Sequence, residues 1–161
     1  MPQRIIDTHV HTDNSPDGHH SAMYMCERAE MAGLRAIAFT DHVEADAYRR
    51  DHYDRVALQS FIDVTKARSA FCGKLLVCAG VELGQPMYDV KTAEEILSNL
   101  PYDMVIGSVH NFKNEQDFMY LDYSQWDITD LLNRYFDELA VRWDESEKRF
   151  RQEFPDTEGF C

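Results

Sequence analysis

The chain of 161 residues lacks any long apolar run; the longest, Leu75 to Val81, is far too short to cross a bilayer. It also lacks a signal-peptide pattern, because Met-Pro-Gln-Arg leads straight into a strand-like segment, and a cytosolic setting is expected. Basic residues are scarce: 16 Lys and Arg stand against 29 Asp and Glu, for a formal net charge of −13. Such a balance argues against a general nucleic-acid track or an anionic membrane surface. It leaves room for an anionic small substrate, since bound divalent cations reverse the local field. The four cysteines show no C-x-x-C spacing, so neither a disulfide framework nor a thiolate metal site is expected. Cys26, Cys72 and Cys78 are expected to be ordinary buried thiols. No G-x-x-x-x-G-K-[ST] loop, G-x-S-x-G elbow or G-x-G-x-x-G fingerprint is present, which removes the usual support for P-loop hydrolysis, serine hydrolysis and dinucleotide binding. There is no internal repeat and no low-complexity linker.

What is present is an apolar content of 44%, with 12% aromatic residues, enough for a real core in a single domain. Short apolar runs near residues 4–9, 35–40, 75–81 and 103–108 read as strands. Helical periodicity separates them. Ser21 is placed to cap a helix that Gly33 closes. Residues 54–71 carry apolar positions at helical spacing, with Gly73 after them. Thr92-Ala93-Glu94-Glu95 reads as a capping box for a helix running to about Asn99. Asp127 is placed to cap a last helix bearing Ile128, Leu131, Leu132, Tyr135, Phe136 and Leu139 on one stripe. Residues 44–53 read as a loop or loose helix. Repeated βαβ units imply an α/β fold with a parallel sheet, whose ligands lie beyond the carboxyl ends of the strands.

Those four carboxyl ends carry the chemistry. The first ends in His9 and His11, two residues apart and therefore on one side of an extended segment. The second ends in His42, the third in Glu82, the fourth in His110. Asp17, in a Pro-Asp-Gly turn, can return a carboxylate to the same place. Imidazole and carboxylate donors without thiolate suit Zn²⁺, Mn²⁺, Fe²⁺ or Co²⁺. Two such ions about 3.5–4 Å apart bind an anionic substrate across the gap and lower the pKa of bound water toward ~7, so no protein nucleophile is needed. Asp7 and Asp41 flank ligands and are expected to orient imidazoles. His19 and His20 are read as surface residues, Arg49 and Arg50 as a solvated charged loop, and Tyr120, Tyr123 and Trp126 as loop packing.

The runs DTHVHTDNSPDG, FTDH, GVELG and YDMVIGSVHN, in this order, resemble the polymerase and histidinol phosphatase (PHP) superfamily, and within it the histidinol-phosphatase branch. The resemblance covers roughly residues 4 to 112. It implies a distorted (βα)7 TIM-like barrel, of which this chain has the first four or five βα units, and two or three divalent ions hydrolysing a small phosphate ester, as in histidine biosynthesis. On that pattern His9, His11 and Glu82 hold one ion, Glu82 and His110 a second, and Asp17 and His42 a third, with Glu82, His110 and Asp17 carrying the catalytic roles. The later strand-end histidine and the final Asp-x-His of the pattern have no counterpart, since His110 is the last histidine. The expected division is a partial PHP domain over 1–140 and a charged tail over 141–161. A barrel cut open leaves an unpaired strand edge and favours association with another copy. The remaining readings are an inactive fragment that binds metal weakly, a module that completes its barrel by association, and a PHP nuclease or phosphotyrosine phosphatase.

Overall fold

The computed structural model describes residues 5–153, with side chains as far as residue 140. The chain divides into two compact units, parted after Ser108.

The first unit is a curled parallel sheet with helices against one face. Its strands are β1 (Ile6–Val10), β2 (Ala36–Phe39), β3 (His42–Glu44), β4 (Leu76–Gly84) and β5 (Met104–Ser108). β1 pairs with β2, β2 and β3 both pair with β4, and β4 pairs with β5 on its other side, all in parallel. β2 and β3 run along successive stretches of β4, opposite Leu76–Ala79 and Glu82–Gly84, so they act as one strand broken at Thr40 and Asp41. The sheet is therefore four ribbons wide and forms half a barrel.

Sequence explains the alternation. Ile37, Phe39, Val77 and Ala79 point to one face, where they meet Cys26 and Ala29 of α1 (Ala22–Ala32) and Val64 and Ala67 of α2 (Tyr53–Ala70) in one apolar cluster. A second cluster joins Val43, Val81 and Leu83 to Ala93 and Ile96 of α3 (Val90–Asn99). Burying each large apolar side chain contributes roughly 1.5–3 kcal/mol. On the other face Ile6 and Leu76 are 58% and 63% exposed. They share a row, because both are in register with Ala36.

The second unit opens after β5 with two short 3-10 turns and then α4 (Ile128–Glu153). Phe112 packs edge-on against Phe118, and Arg134 lies over the Phe112 ring and pairs with Glu115. No helix among the described residues is long and apolar enough to cross a membrane.

Several expectations are met and several corrected. Ser21 caps α1, accepting from Tyr24 N, and Gly33 ends it with φ at 80°. Asp127 accepts from Thr129 N and Asp130 N. α3 begins at Val90 rather than Thr92: its cap is Asp89, which takes the Thr92 N–H and hydroxyl, so the capping box is not used. α2 ends at Ala70, and Gly73 follows in a separate turn. Residues 44–53 hold the end of β3, the 3-10 turn Ala45–Ala47 and the first residue of α2. Cys72 is exposed and Cys78 half-buried, and only Cys26 of the three is a buried thiol. Tyr120, Tyr123 and Trp126 are exposed rather than packed. The first strand was expected from residue 4, and the charged tail from 141; residues 1–4 and 154–161 lie outside the described residues, while α4 runs on to Glu153.

Candidate metal centre

The first unit places its imidazoles and carboxylates at the carboxyl ends of β1, β2–β3 and β4. In β1 the buried Val10 points to the helices, which sends His9 and His11 to the opposite side. In β3 and β4 the register pairs His42 with Glu82 and Glu44 with Gly84, and residues two apart share a face. His42, Glu44 and Glu82 thus stand on one face at neighbouring positions. The loop after β1 folds back tightly: Ser15 N donates to Thr12 O at 3.0 Å and Gly18 N to Ser15 O at 3.1 Å. Gly18 is required there, because a Cβ would lie 1.8 Å from the Thr12 carbonyl oxygen. This fold-back brings Asp17 against His11.

Three donor atoms converge. His9 Nε2 and His11 Nε2 lie 3.0 Å apart, and Glu82 Oε2 is 3.1 Å from the first and 2.9 Å from the second. Ligands about 2.1 Å from a common ion and at right angles to one another lie about 3.0 Å apart, so the triangle has the dimensions of one face of a coordination shell. A second group is His11, Asp17 and His42, in which Asp17 lies 3.0 Å from His11 Nδ1 and 3.4 Å from His42 Nε2. His42 Nδ1 also faces Glu82 Oε2 and Glu44 Oε1, each at 3.6 Å. Glu82 is 5% exposed, and its other oxygen accepts the Ser108 hydroxyl. The residues fit divalent cations: all donors are nitrogen or oxygen, and their lone pairs face inward.

The electrostatics agree. Hydrogen bonding to Glu82 holds the His11 imidazole above its ordinary pKa, against the opposing effect of burial, with Asp17 adding to the rise. Burial disfavours charge on Asp17, but the hydrogen bond from His11 and the charges of His11 and His42 outweigh it and lower its pKa.

His9, His11, Asp17, His42 and Glu82 are brought close to one another. His110 follows β5 by two residues and opens the second unit, where its carbonyl accepts from Phe118 N at 2.8 Å. Among the described residues, no hydrogen bond joins Asp7 or Asp41 to an imidazole ring. Asp7 accepts from the backbone of His9 at 3.3 Å, and Asp41 accepts from Thr12, Ser15 and Ser60. Arg49 pairs with Glu95 and Arg50 with Asp51, both on the surface. A cleft of about 310 Å³ adjoins the centre, lined among others by His9, His11, Asp17, His19, His20 and Met25. Its volume falls at the lower end of small-molecule sites, and His19 and His20, exposed on the surface as expected, stand along its wall. Sequence reasoning missed Glu44, whose signal was present: it lies two residues after His42 and so on the same face of an extended segment. Its carboxylate fills the space above Gly84, where a Cβ would lie 1.7 Å from Glu44 Oε2.

A parallel half-barrel with an imidazole and carboxylate cluster at its carboxyl edge defines a class. The PHP domain model matches residues 7–144, and the chain belongs to that family. The probable histidinol-phosphatase of Deinococcus radiodurans is 26% identical over 144 residues, which cover 82% of this chain and 53% of that protein. The crystal structure of histidinol phosphate phosphatase from Lactococcus lactis, complexed with zinc, L-histidinol and phosphate, matches with a TM-score of 0.55 at 21% identity. That match covers 73% of this chain and 46% of the other. The fold is thus a partial TIM-like PHP barrel, and the chain spans about half the length of these relatives.

Proposed function

We propose that this chain carries the metal-binding half of a PHP-type phosphatase site and acts on a small phosphate monoester, histidinol phosphate being the substrate the relatives suggest. The convergence of His9 Nε2, His11 Nε2 and Glu82 Oε2 within 2.9–3.1 Å carries this reading. His9, His11 and Glu82 would hold one divalent ion, and Asp17 with His42 another. The family pattern adds His110 to this set of ligands. When bound, Zn²⁺, Mn²⁺ or Fe²⁺ supplies charge neutralisation for the phosphate and activation of water. The protein's own part is to fix the donors. With Asp17 accepting the His11 Nδ1–H, Nε2 would be left free to face the ion, and the Ser108 hydroxyl fixes Glu82 from its other oxygen. The adjoining cleft receives the alcohol part of the ester. A cytoplasmic enzyme of histidine biosynthesis is the setting this reading implies, and residues 1–140 are the working domain.

The test is phosphate release from histidinol phosphate by the purified chain with Mn²⁺ or Zn²⁺ present. Release that Glu82→Gln abolishes supports the reading; release unchanged in that variant sinks the assignment of Glu82. A second reading is favoured by the exposed Ile6 and Leu76 on the inner face of the sheet: a metal-binding half-barrel that turns over only when associated. Activity that rises with protein concentration, together with a defined dimer, supports that second reading.

A further inference from the structure

Behind the donor atoms, between the sheet and α2, lies a buried layer of polar side chains where this side of the sheet otherwise packs apolar ones. Thr12 is 0% exposed, Asp41 2%, Ser15 4% and Ser60 5%. Asp41 sits in the break between β2 and β3 and accepts four hydrogen bonds. Its Oδ1 takes Thr12 N at 2.6 Å and the Ser15 hydroxyl at 2.8 Å. Its Oδ2 takes the Thr12 hydroxyl at 2.7 Å and the Ser60 hydroxyl from α2.

The direction of these bonds is forced. His42 N donates to Ser15 Oγ at 3.0 Å, and Asn14 donates to Thr12 Oγ1 twice, from N at 3.1 Å and from Nδ2 at 2.9 Å. The lone pairs of the Thr12 hydroxyl are occupied, so its proton must go to residue 41. A carboxylate accepts all four donors; a carboxamide would aim an N–H at an oxygen that is already full. His11, His42 and Glu82 are each one covalent or hydrogen-bonded step from this hub. His11 adjoins Thr12, His42 adjoins Asp41 and hangs from Ser15, and Glu82 N donates to Asp41 O at 3.1 Å. Asp17 closes the turn that starts at Ser15.

We propose that Asp41 is the positioning residue of the metal centre, and that Ser60 ties this hub to α2. It touches no ligand side chain. It fixes the 12–18 loop and the β2–β3 break in the one arrangement that brings His11, Asp17, His42 and Glu82 together. The proposal rests on the metal-site reading above, so its test measures metal binding rather than turnover.

The experiment is an equilibrium titration of the apo protein with Zn²⁺ and with Co²⁺, following Co²⁺ absorption, for the parent, Asp41→Asn, Ser60→Ala and Val64→Ala. Val64 is buried on the same helix, one turn from Ser60, and belongs to the apolar cluster. It reports what a loss of stability alone does. Losing a partner that orients ligands typically costs about 10–100-fold in metal affinity. Asp41→Asn is expected to lose that much with an altered Co²⁺ spectrum, and Ser60→Ala to lose less but in the same direction. Val64→Ala is expected to melt at a lower temperature than the parent and keep its affinity within about twofold. If Asp41→Asn does not fold, Ser60→Ala against Val64→Ala decides. Parent-like affinity and spectrum in Ser60→Ala overturn the proposal while leaving the metal site intact. A parent that binds neither ion overturns the metal-site reading and this proposal with it.

Discussion

The inner face of the sheet differs sharply between its two ends. At the carboxyl end Glu82 meets two imidazoles and a hydroxyl, and Asp17 faces His11 and His42. At the amino end the same face shows Ile6 and Leu76 more than half exposed. On the helix-facing side the corresponding residues, Ile37, Phe39 and Val77, are 2%, 0% and 2% exposed. The geometry of the centre is thus built from local loops and three strand ends, whereas the barrel's apolar interior calls for a surface that the described residues of this unit do not supply. Binding chemistry and apolar closure are separable in this fold.

Five substitutions break or sharpen that contrast. The largest effect is expected from Phe39→Ala, which opens a cavity in the covered face and costs about 3–5 kcal/mol in chemical denaturation. Next is Gly84→Ala. Its Cβ would strike the Glu44 carboxylate, forcing that side chain away from His42 at a cost of about 1–3 kcal/mol. Adding Glu44→Ala to Gly84→Ala removes the clash, and most of the lost stability should return in the same melts. Leu76→Ala, on the bare face, is expected to stay within about 0.5 kcal/mol of the parent, and Leu76→Lys to lower dye binding or self-association without moving the melting temperature. A loss for Leu76→Ala as large as that for Phe39→Ala would show that the inner face is covered.

The smallest effect concerns thiols. Burial pushes the Cys26 thiol up to about 11, while Cys72 is exposed. Alkylation at neutral pH should mark Cys72 first and Cys26 only on unfolding, as mass spectrometry of partly labelled protein would show. Because the folded pKa of Cys26 lies above the ordinary thiol value of 9.0, its contribution to stability is intact below that pH and is lost as pH rises toward about 11.

The parallel sheet and most of the centre were legible in the sequence because they are written locally. Apolar runs mark the strands, Ser21 and Gly33 mark the ends of α1, and an imidazole or carboxylate follows each run. What was not legible depends on partners far along the chain. β3 is three residues long and is defined only by its pairing with β4, so the segment from Glu44 looked like loop. Asp41 was read as orienting its neighbour His42, yet its partners are Thr12, Ser15 and Ser60, 29, 26 and 19 residues away. The spacing of Glu44 from His42 is legible locally, but the room for its carboxylate depends on the bare backbone of Gly84 in another strand. Asp89 displaced the expected capping box because the chain before Val90 turns so that its carboxylate reaches Thr92 N first.

The central claim is that His9, His11 and Glu82 of this chain hold a divalent cation. Its most direct test is the zinc content of the purified chain after equilibration and desalting, read beside its melting temperature with and without Zn²⁺, for the parent and for Glu82→Gln. The account predicts at least one tightly held ion per parent chain, a melting point that rises with Zn²⁺, and loss of both in the variant. Equal zinc content and equal melting shifts in parent and variant would contradict it.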